Sequence, residues 1–425
     1  ETLACLRKVM GGRNTMKTSI EHAPQVAAVN AGSILTSLDM YKLSMSQFFY
    51  EHEPNVDTTF TFHNRSQDRL ADYVQPRELQ EKLDDVRKQG FTESDIRYLG
   101  SLAHVAGKPV FEPGYLSYLR RSKLPAVDIR LEGPKEDLAI RTTGRWALST
   151  FWETVVMREV SNQYNRNFLR SNWWIGGEKK VYDEGNRRLD KSISLLRKNP
   201  DLKIIEFGTR RAFSPEWHRH VLGRLASEAP RNLVGTSNVG FAPLTDKQPK
   251  GTFAHEAPMG WAALADARRQ NIRSSHSRML DAWRDYYGLD FSIALSDTFG
   301  SQFFFDDFGK TRSESWKGIR HDSGDPYQTG RQQVAMYRRY GMKPKEHIGL
   351  FSDSLTIPKA LALHRVFGGV LLDNYGIGNG LTADVGLPQR NHVMKATYFY
   401  DRQNWVGAEA VKLSDDAGKH TGSPH

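Results

Sequence analysis

The densest group of chemically capable side chains in the sequence is Arg320-His-Asp-Ser-Gly-Asp-Pro326. A guanidinium, an imidazole, a hydroxyl and two carboxylates fall within six positions, and Gly324 and Pro326 stop regular structure from running through them. Charged groups this close repel one another unless they face a ligand, a metal or each other. Arg320 suits a planar anion, while Asp322 and Asp325 could hold a divalent cation or accept from a ribose diol. A charge-balanced turn is the alternative reading. His255-Glu256 pairs an imidazole with a carboxylate, as a nucleophile or base and its orienting group would require. Because the chain has 14 histidines, that pair alone does not separate a reactive histidine from a structural one. Asp297 and Asp353 each follow a serine and could meet substrate or cap the next helix. Gly376-Ile-Gly378-Asn-Gly380 would let backbone N–H groups approach a phosphate, or form an ordinary turn. Its spacing is not the dinucleotide fingerprint, and the sequence has no P-loop or zinc-ligand spacing.

Each of these groups ends a short apolar segment. From about residue 200 the unit repeats. Residues 202–207 break at Gly208-Thr-Arg-Arg211, 233–234 at Gly235-Thr-Ser-Asn238, and 251–254 at His255. Residues 291–295 break at Ser296-Asp-Thr298, 318–319 at Arg320, 348–351 at Ser352-Asp-Ser354, and 370–372 lead to the glycines. Helices fit between several tips, one opened by Ser214-Pro215-Glu216 and another over 359–367 behind Pro358. Strand, polar tip and helix in repetition predict an irregular β/α barrel with its ligand at the carboxyl ends of the strands. A doubly wound open sheet would share that placement. The N-terminal third reads as α+β. It has a helix over 35–50, a strand over 58–63 with Phe60 and Phe62 on one face, a helix over 77–89 capped by Gly90, a strand over 127–131 and a helix over 147–165.

Bulk composition narrows the class. The 425 residues are 39% hydrophobic and 11% aromatic, enough for large cores and incompatible with global disorder. Lys and Arg total 59 against 49 Asp and Glu, a net charge of +10, which favours anionic partners. The basic residues are dispersed, which suits small phosphorylated substrates better than nucleic acid. The one cysteine, Cys5, precludes an internal disulfide or a cysteine metal site. No apolar run approaches the ~20 residues of a membrane span, and residues 3–6 are too short for a signal core. A cytoplasmic protein with no membrane partner is expected. Glu1 in place of Met, and the short tail after Lys412-Leu-Ser-Asp415, suggest that terminal segments are missing.

Taken in order, the tips resemble the nicotinate phosphoribosyltransferase family. The matching strings are Leu38-Asp-Met-Tyr-Lys42, Glu206-Phe-Gly-Thr-Arg-Arg211, Gly235-Thr-Ser-Asn238, Gly251-Thr-Phe-Ala-His-Glu256, Arg320 to Pro326, Phe351-Ser-Asp353 and Tyr375-Gly-Ile-Gly378. The resemblance spans about residues 34 to 418. It implies a type II phosphoribosyltransferase fold: an irregular α/β barrel (147–391 with its leading helix) and an α+β domain built from 1–146 and the returning segment 392–425. It also implies transfer of phosphoribose from 5-phosphoribosyl 1-pyrophosphate to nicotinate for NAD salvage. Mg²⁺, ATP coupling through a phosphorylated histidine, and a homodimer with shared sites are implied as well.

Carried over by position, His255 is the phosphorylated histidine, with Asp297 and Asp322 around ribose and Mg²⁺. Tyr41, reaching across the dimer, and Phe207 sandwich the pyridine. Arg210 and Ser237 lie at the nicotinate, with Arg211 not distinguished from Arg210. Arg320, Asp322, Ser352, Asp353, Gly378 and Asn379 hold the phosphoribosyl pyrophosphate. Nicotinamide-using relatives carry an aspartate where Ser237 stands, so the resemblance implies nicotinate as the substrate. Nicotinamide or quinolinate transfer on the same fold is the near alternative, and a basic nucleic-acid-binding protein the distant one. By composition, 241–250 is the candidate for a loop that closes over the site.

Overall fold

The computed structural model describes residues 32–172 and 177–422; Cys5, residues 3–6 and the last three residues lie outside them. Three strands come from the N-terminal part: β1 (Val56–Asn64), β2 (Val127–Glu132) and β3 (Asp137–Arg145). Six short strands follow: β4 (Ile204–Glu206), β5 (Leu233–Thr236), β6 (Ile293–Leu295), β7 (Gly318–His321), β8 (Ile348–Phe351) and β9 (Leu372–Ile377). Last come β10 (His392–Asp401) and β11 (Val406–Glu409).

The chain ends share one antiparallel sheet of order β11-β10-β1-β3-β2. Inward residues alternate along β1, so Val56, Phe60 and Phe62 are buried while Asp57 and Thr61 face outward. Phe49, from the helix Met40–His52, stacks on Trp146 at 3.6 Å between ring centroids, and Phe399 of β10 meets the same indole edge-on at 4.7 Å. These rings join helix and sheet into one core.

The six middle strands are parallel, in the order β5-β4-β9-β8-β7-β6. That is ring order, cut only between β5 and β6. Segment 250–254 occupies the cut: Lys250 N–H donates to the Thr236 carbonyl of β5 (2.8 Å), and the Thr252 hydroxyl donates to the Ile293 carbonyl of β6 (3.1 Å). The strand expected at 251–254 does not form, because its polar groups go to the helix Met40–His52. The Thr252 carbonyl accepts from Ser44 (2.6 Å), and Ala254 N–H donates to Met45 sulfur (3.4 Å). The parallel strands thus curve into an irregular α/β barrel, with the N-terminal helix wedged at its seam.

Other boundaries moved for local reasons. The first α-helix begins at Met40, because Ile34–Ser37 is a 3₁₀ turn and Leu38 and Asp39 are extended. The helix expected over 147–165 is two pieces, Trp146–Ser149 and Trp152–Ser171. Segment 241–250 is packed rather than free. Phe241 and Ala242 are buried, and Phe241 N–H donates to the Asn238 side chain at 2.9 Å. Among the described residues no helix is long and apolar enough to cross a membrane.

Candidate active site

Parallel strands point their carboxyl ends the same way, and the tips of β6 and β7 bring Asp297 and Asp322 to His255, which ends the seam segment 250–254. His255 Nε2 lies 3.1 Å from Asp322 Oδ2 and 3.7 Å from Asp297 Oδ1, while Nδ1 is 3.0 Å from the Thr298 hydroxyl. Burial lowers the imidazole below its usual value, and the two carboxylates only partly offset this. The ring is therefore neutral near pH 7. Its Nε2–H faces Asp322, which leaves the Nδ1 lone pair toward Thr298. Burial would raise the Asp322 carboxyl, but the Arg320 guanidinium at 3.6 Å and the His255 contact outweigh it and hold it well below the usual carboxylate range. Ser352 donates to its other oxygen at 2.8 Å.

Asp297 is fully buried. One oxygen accepts from Ser323 (2.5 Å) and lies 3.7 Å from Lys412 Nζ, and the other has no hydrogen-bond partner among the described residues. Ligand atoms of His255, Asp297 and Asp322 lie within 4.8 Å of one another. Two carboxylates with an unpartnered buried oxygen fit a divalent cation.

The C-terminal segment crosses this mouth. The Ser414 hydroxyl donates to Ser323 (2.9 Å), Leu413 N–H to the Thr298 carbonyl (3.0 Å), and Asp415 accepts from Ser301 N–H (2.8 Å). Lys412 is buried, and Lys419 donates to Asp353 (2.7 Å) and to the Asp322 carbonyl (3.0 Å). Two lysines therefore stand beside the site that sequence reasoning did not assign to it. Their positions, two strands beyond the barrel motifs, gave no such signal.

Toward β4 and β5 lie the other candidates. The Arg210 side chain is 43% exposed and, among the described residues, makes one hydrogen bond, NH1 to Glu153 Oε1 at 3.1 Å, whereas Arg211 Nε donates to the His392 carbonyl at 2.9 Å. The geometry separates the pair: Arg210 lies by Tyr41, Asp39 and Asp322, and Arg211 is tied to β10. Tyr41 is buried on the same chain's barrel, its hydroxyl without a hydrogen-bond partner among the described residues. Ser237 is buried and donates to Asp39 Oδ1 at 2.7 Å, and burial raises the Asp39 carboxyl above its usual value. Phe207 N–H donates to the Ile377 carbonyl of β9 (2.9 Å), which places its ring across the Gly376 backbone.

Several expectations needed correction. Glu256 does not orient His255. It accepts from Trp146 Nε1 (2.7 Å) and from Lys42 (2.6 Å), because the helix it opens turns it into the core. Asp325 stands apart from the cluster of His255, Asp297 and Asp322: it is exposed and caps the helix Pro326–Arg339, accepting from Tyr327 N–H at 2.8 Å. His321 is buried and lies 3.2 Å from the Gly324 carbonyl, within its own turn. All three late glycines answer to packing, Gly378 because a Cβ there would meet the Phe207 carbonyl. A Cβ at Gly376 would overlap the Phe207 ring, and one at Gly380 the Leu355 carbonyl. Gly378 and Asn379 begin the short helix Asn379–Thr382 at the β9 tip.

Comparison with known proteins agrees with this geometry. Residues 202–424 match the sequence model of the nicotinate phosphoribosyltransferase (NAPRTase) family, and residues 36–161 match that of its N-terminal domain. The nicotinate phosphoribosyltransferase structure from Porphyromonas gingivalis superposes with a TM-score of 0.80 at 27% identity, covering 92% of this chain and 96% of that one. The nicotinate phosphoribosyltransferase from Vibrio cholerae gives 0.80 at 27% identity over 94% and 93%. With both sheets, the ring of strand tips and the ordered motifs accounted for, the chain belongs to the nicotinate phosphoribosyltransferase family.

Proposed function

We propose that this protein joins nicotinate to 5-phosphoribosyl 1-pyrophosphate, releasing nicotinate mononucleotide and pyrophosphate in NAD biosynthesis, with ATP hydrolysis coupled through a phosphohistidine at His255. The observation that carries the reading is the His255 imidazole held between the Thr298 hydroxyl and the Asp322 carboxyl at the mouth where the barrel motifs meet. In the coupling step, Nδ1 attacks the γ-phosphorus of ATP, the bond to the β,γ-bridging oxygen breaks, and ADP leaves. Asp322 keeps the Nε2 proton and balances the charge that develops on the ring.

In the transfer step the pyridine nitrogen displaces pyrophosphate at the anomeric carbon through a cationic sugar, which buried carboxylates stabilise. Arg320, Ser352, Asp353, Gly378 and Asn379 would hold the phosphoribosyl pyrophosphate, and Arg210 the carboxylate of nicotinate between the rings of Tyr41 and Phe207. Asp297 and Asp322 would hold Mg²⁺, which when bound with the substrate neutralises the leaving pyrophosphate. A homodimer belongs to this reading, and sedimentation tests it.

The deciding experiment incubates the protein with nicotinate, 5-phosphoribosyl 1-pyrophosphate and Mg²⁺, with and without ATP. Nicotinate mononucleotide formed in both, at a higher yield with ATP, is the expected result. No nucleotide in either would overturn the assignment. ATP coupling falls separately if His255→Ala still takes up acid-labile phosphate.

One observation favours a second reading, nicotinamide. Asp39, bonded to Ser237, puts a carboxylate beside the position where an amide N–H would need an acceptor. Direct competition between the two pyridines decides. Ser237→Asp should shift preference away from nicotinate, and an unchanged preference would remove Ser237 from specificity.

A further inference from the structure

Beneath the nicotinate end of the site runs an alternating chain of charges: Arg210, Glu153, Lys42, Glu256. Lys42 is fully buried and spends all three donors, on Glu153 Oε2 (2.5 Å), Glu256 Oε2 (2.6 Å) and the Thr150 hydroxyl (3.2 Å). Glu256 is filled by further donors, since Thr150 reaches Oε2 at 3.0 Å and Trp146 reaches Oε1 at 2.7 Å. Glu153 is different. One of its oxygens is on Lys42 and the other on a single nitrogen of Arg210, at 3.1 Å.

That division matters to Arg210. A free carboxylate beside a guanidinium takes it in a two-pronged grip, occupying a pair of N–H donors. Lys42 holds back one Glu153 oxygen, so Arg210 is anchored at one nitrogen and keeps its remaining donors for a ligand. Burial would lift the carboxyls of both glutamates. Lys42 and Arg210 together overcome this for Glu153, which is held low, whereas Glu256, beside Lys42 only, is raised.

We propose that Lys42 is a positioning residue for nicotinate: by splitting the grip of Glu153 it keeps the Arg210 guanidinium open to the carboxylate of the substrate. The inference rests on the nicotinate reading above. It assigns Lys42 a role in specificity from a place where it touches no substrate.

The test compares steady-state constants for wild type, Lys42→Met, Glu153→Gln and the charge-balanced Lys42→Met/Glu153→Gln. Lys42→Met should raise KM for nicotinate about tenfold or more while KM for 5-phosphoribosyl 1-pyrophosphate stays within about twofold. In the Glu153→Gln background the lysine substitution should no longer change KM for nicotinate, because the grip it restrained is gone. If Lys42→Met alone does not fold, the comparison between Glu153→Gln and the double variant carries the test. A lysine effect that persists at full size without Glu153, or one that lowers every constant alike, overturns the proposal. Wild type that fails to convert nicotinate overturns instead the reading on which it rests, and the two failures are distinct.

Discussion

Replacing Asp322 by Asn isolates the histidine chemistry. The substitution keeps the shape of the side chain and removes its charge, 3.1 Å from His255 Nε2. A hydrogen bond to a charged partner contributes about 1.5–3 kcal/mol and a neutral one about 1. The charge that develops on the ring during phosphoryl transfer should therefore lose about 1–2 kcal/mol of stabilisation, or about five- to thirtyfold in rate.

A second signature has a definite sign. The Asp322 carboxylate raises the His255 pKa against the lowering effect of burial, so removing its charge lowers that pKa further. His255 attacks only when neutral, and its acid limb should move to lower pH even as the plateau falls. The assay is single-turnover labelling of the protein with γ-labelled ATP across pH at saturating Mg²⁺, without nicotinate or 5-phosphoribosyl 1-pyrophosphate, so that the substrate contacts of Asp322 do not enter and a weakened hold on Mg²⁺ is compensated. A wild-type plateau would refute the argument. So would an acid limb that shifts upward, because it would mean that Asp322 does not face the ring as an anion.

Three further outcomes follow from the geometry. Asp325→Ala should cost about 1 kcal/mol of stability in urea unfolding through loss of the cap on Pro326–Arg339, with nucleotide formation unchanged; a large loss of turnover would return Asp325 to the site. Gly380→Ala should destabilise by about 1–3 kcal/mol, because the new methyl meets the Leu355 backbone and not a movable side chain; an unchanged urea midpoint would show that the loop yields. Lys395, which burial and the neighbouring Arg65 and Lys412 push down to about 7, binds its proton more weakly folded than unfolded. Stability should therefore rise with pH from about 7 toward the ordinary lysine value, and Lys395→Met should flatten that rise in thermal melts.

Most of the architecture was legible because it depends on local periodicity. Alternation exposed β1 and β2, short apolar runs before polar tips exposed five of the six barrel strands, and Ser214-Pro215 marked its helix, where Ser214 accepts from Trp217 N–H. What stayed hidden depends on distance along the chain. Lys42 meets Glu256 across 214 residues and Thr150 across 108, and nothing local in Met-Tyr-Lys-Leu marks a lysine for complete burial. Asp322 and Asp325 look alike in sequence, yet one faces histidine and the other a helix N-terminus, a difference of backbone direction over three residues. Segment 251–254 has the composition of a strand, but its hydrogen bonds go to a helix two hundred residues upstream.

The sheet that joins the chain ends also sets a schedule for synthesis. The hydroxyls of Thr61 in β1 and Thr397 in β10 meet at 3.0 Å although 336 residues separate them. At translation rates of about 5–20 residues per second, β1 waits roughly 20–70 s for its partner, offering an open strand edge throughout. The barrel can close behind it in that interval, but the helix Glu256–Ala267, which places His255 at its start, packs on β10 and so lacks its cover until the final strands leave the ribosome. A chain released early, before residue 392, would carry nearly every motif of the active site on a body whose antiparallel sheet lacks two of its five strands.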